Sequence, residues 1–111
     1  MNIFLLSVFL VRSKKQYIWR FQLEGLTACI EYFNSKVSKK KKLIVDGELK
    51  AEAKLKKEKV DPILTGGIFK VHGKDFKIVA VKDSFDLKYG ELSFLDLWVA
   101  AMKKTGKIGL N

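Results

Sequence analysis

Few residues in this chain could do chemistry, and their spacing limits what they can do. His72 is the only histidine and Cys29 the only cysteine. A Cys-His dyad needs the two side chains at hydrogen-bond distance, with a third group orienting the imidazole. Nothing in their spacing supplies that. His72 precedes Gly73 between two apolar runs, the context of a hairpin turn, and Cys29 sits between Ala28 and Ile30 as a small buried hydrophobe of a strand. One Cys and one His cannot build a four-ligand zinc site of those residue types. Gly73-Lys74 is followed by Asp75 instead of Ser or Thr, and Ile68 stands where the first glycine of a P-loop belongs. Asp83 and Asp86 lack the further carboxylates of a calcium loop. The expectation is a chain with no enzymatic activity, no cofactor and no metal.

Lysine is the residue in excess. The 111 residues carry a formal charge of +10, and all the basic residues except Arg12 and Arg20 are lysines. Ten lysines stand between Lys36 and Lys59 against Asp46, Glu48, Glu52 and Glu58, a net +6 within 24 residues. A lysine is a mobile point charge, without the planar fork by which arginine reads base edges. The cluster therefore points to a shape-tolerant acidic surface. Its candidate contacts are Lys39, Lys40, Lys41, Lys42, Lys56 and Lys57.

These residues need a scaffold, and the hydropathy pattern describes one. The chain is 48% hydrophobic, which is too apolar for a disordered chain, and its 111 residues are about right for one domain. Tyr17, Trp19, Phe21 and Leu23 alternate with Ile18, Arg20 and Gln22, the period of a half-buried strand. Leu26 to Phe33 follows the Glu24-Gly25 turn. Lys41 to Val45 and Glu48 to Ala53 flank Asp46-Gly47, a strong hairpin signal because both turn positions accept positive φ. A helix over Glu48 to Lys59 competes, with Leu49, Ala53 and Lys56 at helical spacing. Lys54 to Pro62 reads as a connection. Ile68 to Val71, Phe76 to Val81 and Phe85 to Tyr89 complete an all-β reading, an antiparallel β-sandwich of about 7–8 strands.

Two apolar ends flank that core. Ile3 to Val11 is apolar apart from Ser7, and its positive charges (Arg12, Lys14, Lys15) follow it. A signal peptide has the reverse order and a small-residue cleavage site, so residues 1–16 read as an extension instead. An edge strand, a partner-binding segment and a membrane-surface anchor all fit. At the other end Phe94, Leu95, Leu97, Trp98, Ala101 and Met102 form a helical stripe, with Ser93 and Asp96 as its N-terminal cap and Gly106 as its stop. The domain reading is thus an extension over 1–16, a sandwich over 17–92, and a short helix and tail over 93–111. No run is long enough for an ordinary transmembrane helix.

Several segments resemble one known family. Tyr17-Ile-Trp-Arg-Phe-Gln-Leu-Glu-Gly25, Ile30-Glu-Tyr-Phe-Asn-Ser-Lys-Val-Ser38 and Leu43-Ile-Val-Asp-Gly47 are similar to the opening of a Fas apoptotic inhibitory molecule domain. Phe69-Lys-Val-His-Gly73, Phe76-Lys-Ile78, Asp86-Leu-Lys88 and Ser93-Phe94 resemble its later strands. The resemblance spans roughly residues 17–94. It implies a compact antiparallel β-sandwich, action through protein contacts and no recognised catalytic site. Two departures stand out. The family often has Ser-Gly-Lys after its second strand, whereas Lys39 follows Ser38 here, and its full-length members carry two such domains. Only the fold is carried over.

The functional expectation is a structural or protein-interaction module, a small subunit of a larger assembly. It would dock on an acidic surface, with microtubule and ciliary surfaces as examples, through the lysine cluster. Phe4, Phe9, Trp98 and Met102 are its candidate partner-docking residues. The expected location is intracellular, cytoplasmic or cytoskeletal, and a membrane-surface partner ranks low. The alternative is an RNA-binding or ribonucleoprotein subunit, with lysines on phosphates and strand aromatics stacking on bases.

Overall fold

The computed structural model describes residues 3–10, 16–54, 59–82 and 84–105, with the backbone alone for 3–10 and 101–105. Nine strands are described. β1 (Ile3–Leu10), β2 (Gln16–Leu23), β3 (Leu26–Asn34), β4 (Lys41–Val45) and β5 (Glu48–Ala53) form one antiparallel sheet in chain order. β6 (Phe69–Val71), β7 (Lys74–Val81), β8 (Ser84–Tyr89) and β9 (Leu92–Ser93) form a second, also in chain order. Helix α1 (Phe94–Thr105) follows. The fold is thus all-β, two meanders in succession with a short C-terminal helix.

Period-two patterning decides which side of each strand is covered. Tyr17, Trp19, Phe21 and Leu23 of β2 are buried, and their β3 neighbours Ala28, Ile30 and Tyr32 lie on the same inner face. Leu43 and Val45 of β4 continue that layer, and Phe69, Val71, Phe76, Ile78 and Leu87 answer it from the second sheet. Aromatic rings join the sheets. Phe21 meets Phe76 at 5.5 Å between ring centroids, and Phe85 meets Tyr32 at 5.1 Å. Edge-to-face and tilted rings are the favoured geometries for such pairs.

The hairpin turns are made as the sequence predicts. Asp46-Gly47 has φ of 51° and 82°, Glu24-Gly25 has 52° and 81°, and His72-Gly73 has 51° and 77°. Glycine at the second position meets no Cβ penalty there. Glu48–Ala53 is a strand, which corrects the competing helix. Ala51 and Ala53 alternate inward while Glu48, Lys50 and Glu52 take the exposed positions. The link from β5 to β6 also holds a 3-10 turn, Pro62–Thr65, absent from the sequence reading. Asp61 caps it by accepting a hydrogen bond from the Ile63 amide at 3.1 Å. Gly67 follows so closely that a Cβ there would stand 2.7 Å from the Pro62 carbonyl oxygen.

Each end of the sandwich has its own closure. The 3-10 turn packs against β4, β5 and β7, and its Leu64 is buried beside the small inner face of β5. Tyr32 reaches across to it, donating from Oη to the Leu64 carbonyl oxygen at 2.6 Å and accepting from Asn34 Nδ2 at 2.8 Å. At the other closure α1 packs against β8 and β1. Phe94 is buried against Phe21 at 4.9 Å, which makes the start of the helix part of the core. Asp86 organises that junction. Its Oδ2 accepts from Ser93 Oγ at 2.5 Å and its Oδ1 from the Leu95 amide at 3.0 Å, while Ser93 Oγ accepts from the Asp96 amide at 3.2 Å. Ser93 therefore caps the helix as its spacing predicts, with Asp86 behind it.

The backbone of the N-terminal segment fits the edge-strand reading. β1 pairs antiparallel along β2, from Ile3 opposite Leu23 to Leu10 opposite Tyr17, with a bulge between Leu5 and Ser7. It is an edge strand of the five-stranded sheet. No described helix is long and apolar enough to cross a membrane.

Two stability predictions follow from these closures. Replacing Asp86 with Ala removes two hydrogen bonds to a buried carboxylate and should destabilise the fold by about 3 kcal/mol in urea unfolding. Burial raises the Tyr32 hydroxyl above its ordinary value of 10.0, only partly offset by the Asn34 hydrogen bond. The folded chain keeps this proton where the unfolded chain loses it, so the stabilisation is full below 10.0 and declines as pH rises toward the folded value. Tyr32→Phe should flatten that alkaline decline and cost roughly 1–3 kcal/mol at neutral pH, because Leu64 loses its donor.

Candidate functional site

The loop joining β3 to β4 carries the lysines into position. Ser35, buried at its base, donates from its amide to the Lys40 carbonyl and accepts at its own carbonyl from the Lys39 amide, each at 2.9 Å. Its Oγ accepts from the Ser38 amide at 3.2 Å. The loop is thereby closed on itself, and Lys39 is forced to φ of 65°. That is the left-handed region, which an L-residue other than Gly enters at a cost of about 1 kcal/mol.

Beyond the loop lies a groove of about 420 Å³, walled by Phe33, Lys40, Lys41, Lys42, Ala53 and Lys54. Glu52 completes the wall, so four lysines face one carboxylate. The register explains this company: Phe33 pairs with Lys42 across β3 and β4, and Lys42 with Glu52 across β4 and β5. A bulge between Leu43 and Ile44 sets that second pairing. A regular ladder from the Asp46-Gly47 turn would instead have put Lys42 opposite Ala51 and Lys41 opposite Glu52.

Ion pairing separates Lys39 to Lys42 from the other lysines, Lys54 of the groove included. Lys50 is bound to Glu48 at 2.6 Å, Lys54 lies 3.8 Å from Glu52, Lys70 holds Asp75, and Lys74 lies 3.7 Å from Glu24. Glu48 is held below the usual carboxylate range, first by its hydrogen bond from Lys50 and then by that charge. Among the described residues no carboxylate pairs with Lys39, Lys40, Lys41 or Lys42.

The structure distributes the sequence-predicted residues unevenly. Lys40, Lys41 and Lys42 are brought together, whereas Lys39, just after the 36–38 turn of the loop, is outside the groove wall. Lys56 and Lys57 lie outside the described residues. Phe33, Ala53 and Lys54 join the site without having been singled out; only the strand register, with its bulge, brings them there. Trp98 is half-buried, lining a small cavity of about 70 Å³ with Tyr17, Trp19 and Phe85. Leu95 and Val99 are the exposed apolar residues of α1, at 43% and 37%. Phe4 and Phe9 sit on β1 opposite Gln22 and Ile18, and Met102 lies on α1; their side chains are outside the described set.

The chemical candidates have structural employment. His72 occupies the β6–β7 turn, with Nε2 3.2 Å from the Thr27 carbonyl oxygen and 3.7 Å from Asp46 Oδ2. Asp46 accepts from the Cys29 amide at 2.7 Å through its other oxygen. These contacts tie the turn of one sheet to the start of β3 and the β4–β5 turn of the other. Cys29 corrects the buried-strand reading: it stands on the outward row of β3, half-buried, because Ala28 and Ile30 take the inward positions. Among the described residues, no group of three or more His, Cys, Asp or Glu could hold a metal ion.

No family model, curated protein or solved structure matches the chain.

Relief of the strained loop gives a prediction. Lys39→Gly should raise stability by about 0.5–1 kcal/mol, a gain of about 4 °C in melting temperature, with the groove intact. An unchanged or lower melting temperature would show that Lys39 makes a compensating contact.

Proposed function

We propose that this domain is a non-catalytic protein-interaction module, a small subunit of a larger assembly, whose lysine groove docks an acidic protein surface. The observation that carries this reading is the set of lysines at 39–42 without carboxylate partners among the described residues, three of them walling one groove. Lysine point charges on flexible stems accept carboxylates in many orientations. Glutamate-rich protein surfaces, including those of microtubules in cytoskeletal and ciliary assemblies, have the matching chemistry. The resemblance to the Fas apoptotic inhibitory molecule domain, whose members are taken to act through protein contacts, supports the same reading.

Burial of the aromatics favours protein over RNA. Tyr17, Trp19, Phe21, Tyr32, Phe76 and Phe94 are core residues, which removes them as stacking platforms. Phe33 is the aromatic that the groove presents. Binding of single strands draws on several such platforms along a charged path.

The test is equilibrium binding to a glutamate-rich peptide, to microtubules and to mixed-sequence RNA across ionic strengths. Binding to the acidic peptide should weaken with added salt. Converting Lys40, Lys41 and Lys42 together to Glu should reduce it roughly tenfold or more, each exposed pair contributing up to about 1 kcal/mol. Tighter binding of RNA than of the peptide at equal salt would overturn the reading.

A further inference from the structure

The lysine groove does not end at Lys42. A second depression of about 250 Å³ opens on the outward face of the same sheet, and Phe33 and Lys42 line both. Its other walls include Glu31 and Ile44, which pair across β3 and β4 one step beyond Phe33 and Lys42. Ile44 is a half-buried aliphatic side chain on the face turned away from the core, since Leu43 and Val45 take the inward positions. Leu49, its partner across β5, is 50% exposed, and Ile18 pairs with Glu31 from the other side. A row of aliphatic residues therefore runs beside the lysines, interrupted by one carboxylate.

Resting on the acidic-partner reading, we infer that the two depressions form one channel for an extended acidic segment with an apolar anchor. The anchor would stand two residues beyond the last acidic residue. The spacing follows from the strand. Lys42 and Ile44 are two residues apart on one face of β4, about 7 Å, which matches the distance between alternate side chains of an extended peptide. A segment running along the outward face of β4 places carboxylates over Lys40 and Lys42, beside Lys41 of the groove wall, and an aliphatic or aromatic side chain between Phe33, Ile44 and Leu49. Glu31 sets its polarity, because it repels further carboxylates at the anchor end. Exposed ion pairs bind weakly and with little preference, whereas an apolar side chain buried beside them supplies both affinity and selectivity.

The experiment compares two short peptides on the wild-type domain. One has a run of Glu with Leu two residues past its end, and in the other that Leu is Ser. The Leu peptide should bind about tenfold more tightly, the effect of burying one such side chain. It should also move the backbone amide resonances of Glu31, Phe33 and Ile44 in addition to those of Lys40, Lys41 and Lys42. Ile44→Thr, which removes apolar surface without adding charge, should shrink the difference between the peptides while leaving the Ser peptide's affinity within about twofold. Equal affinities on the wild-type domain, with shifts confined to the lysines, would overturn the channel and leave the acidic docking reading standing. Failure of both peptides to bind at low salt would overturn both. The resonance shifts decide the matter even if Ile44→Thr does not fold.

Discussion

The contact on which the rest of the structure depends is Phe21 against Phe76 and Phe94. One ring from the middle of β2 touches the second sheet and the first residue of the helix, and all three are buried. Two meanders of this kind have little to hold them together except the faces they cover. The connections within each described sheet are mostly tight turns that join neighbours, so only apolar burial and the link from β5 to β6 set one sheet on the other. Large aromatic side chains suit that role because each covers a wide area and interlocks in tilted geometry.

Closure at the two ends then determines what remains available to a partner. Leu64 and Tyr32 seal one side, and Phe94 with the Asp86–Ser93 cap seals the other. In both, a buried polar group finds a partner instead of facing an apolar interior. No buried side-chain nitrogen or oxygen among the described residues lacks a hydrogen bond, as expected of a specified core. At the exposed turns, His72 reaches the Thr27 carbonyl oxygen and lies near Asp46, a polar link between the two sheets.

The lysine groove lies where this order relaxes. Its loop confines Lys39 to a backbone conformation that glycine would adopt at lower cost, and its strand carries a bulge. The bulge lets Ala51 and Ala53 stay inward while bringing Glu52 across from Lys42. It alters the charge pattern of the outward face without disturbing the core. The carboxylates of β5 are paired, Glu48 with Lys50 of the same strand and Glu52 with Lys54 just past its end, which leaves Lys39 to Lys42 without a carboxylate partner among the described residues.

Much of this architecture was legible in the residues. Alternation from Tyr17 to Leu23 implied a strand with one covered face, Asp46-Gly47 implied a hairpin, and Ser93 with Asp96 implied a helix start, because each depends on neighbours a few positions apart. The lysine excess between Lys36 and Lys59 was equally plain as composition. What the sequence alone could not determine was set by contacts between distant segments. The bulge in β5, the 3-10 turn that seats Leu64, the outward position of Cys29 and the half-burial of Trp98 all follow from how two sheets and a helix share one interior. For the same reason, the run of lysines was readable as charge, but the groove shared by Phe33, Lys41 and Lys54 existed only once three strands were in register.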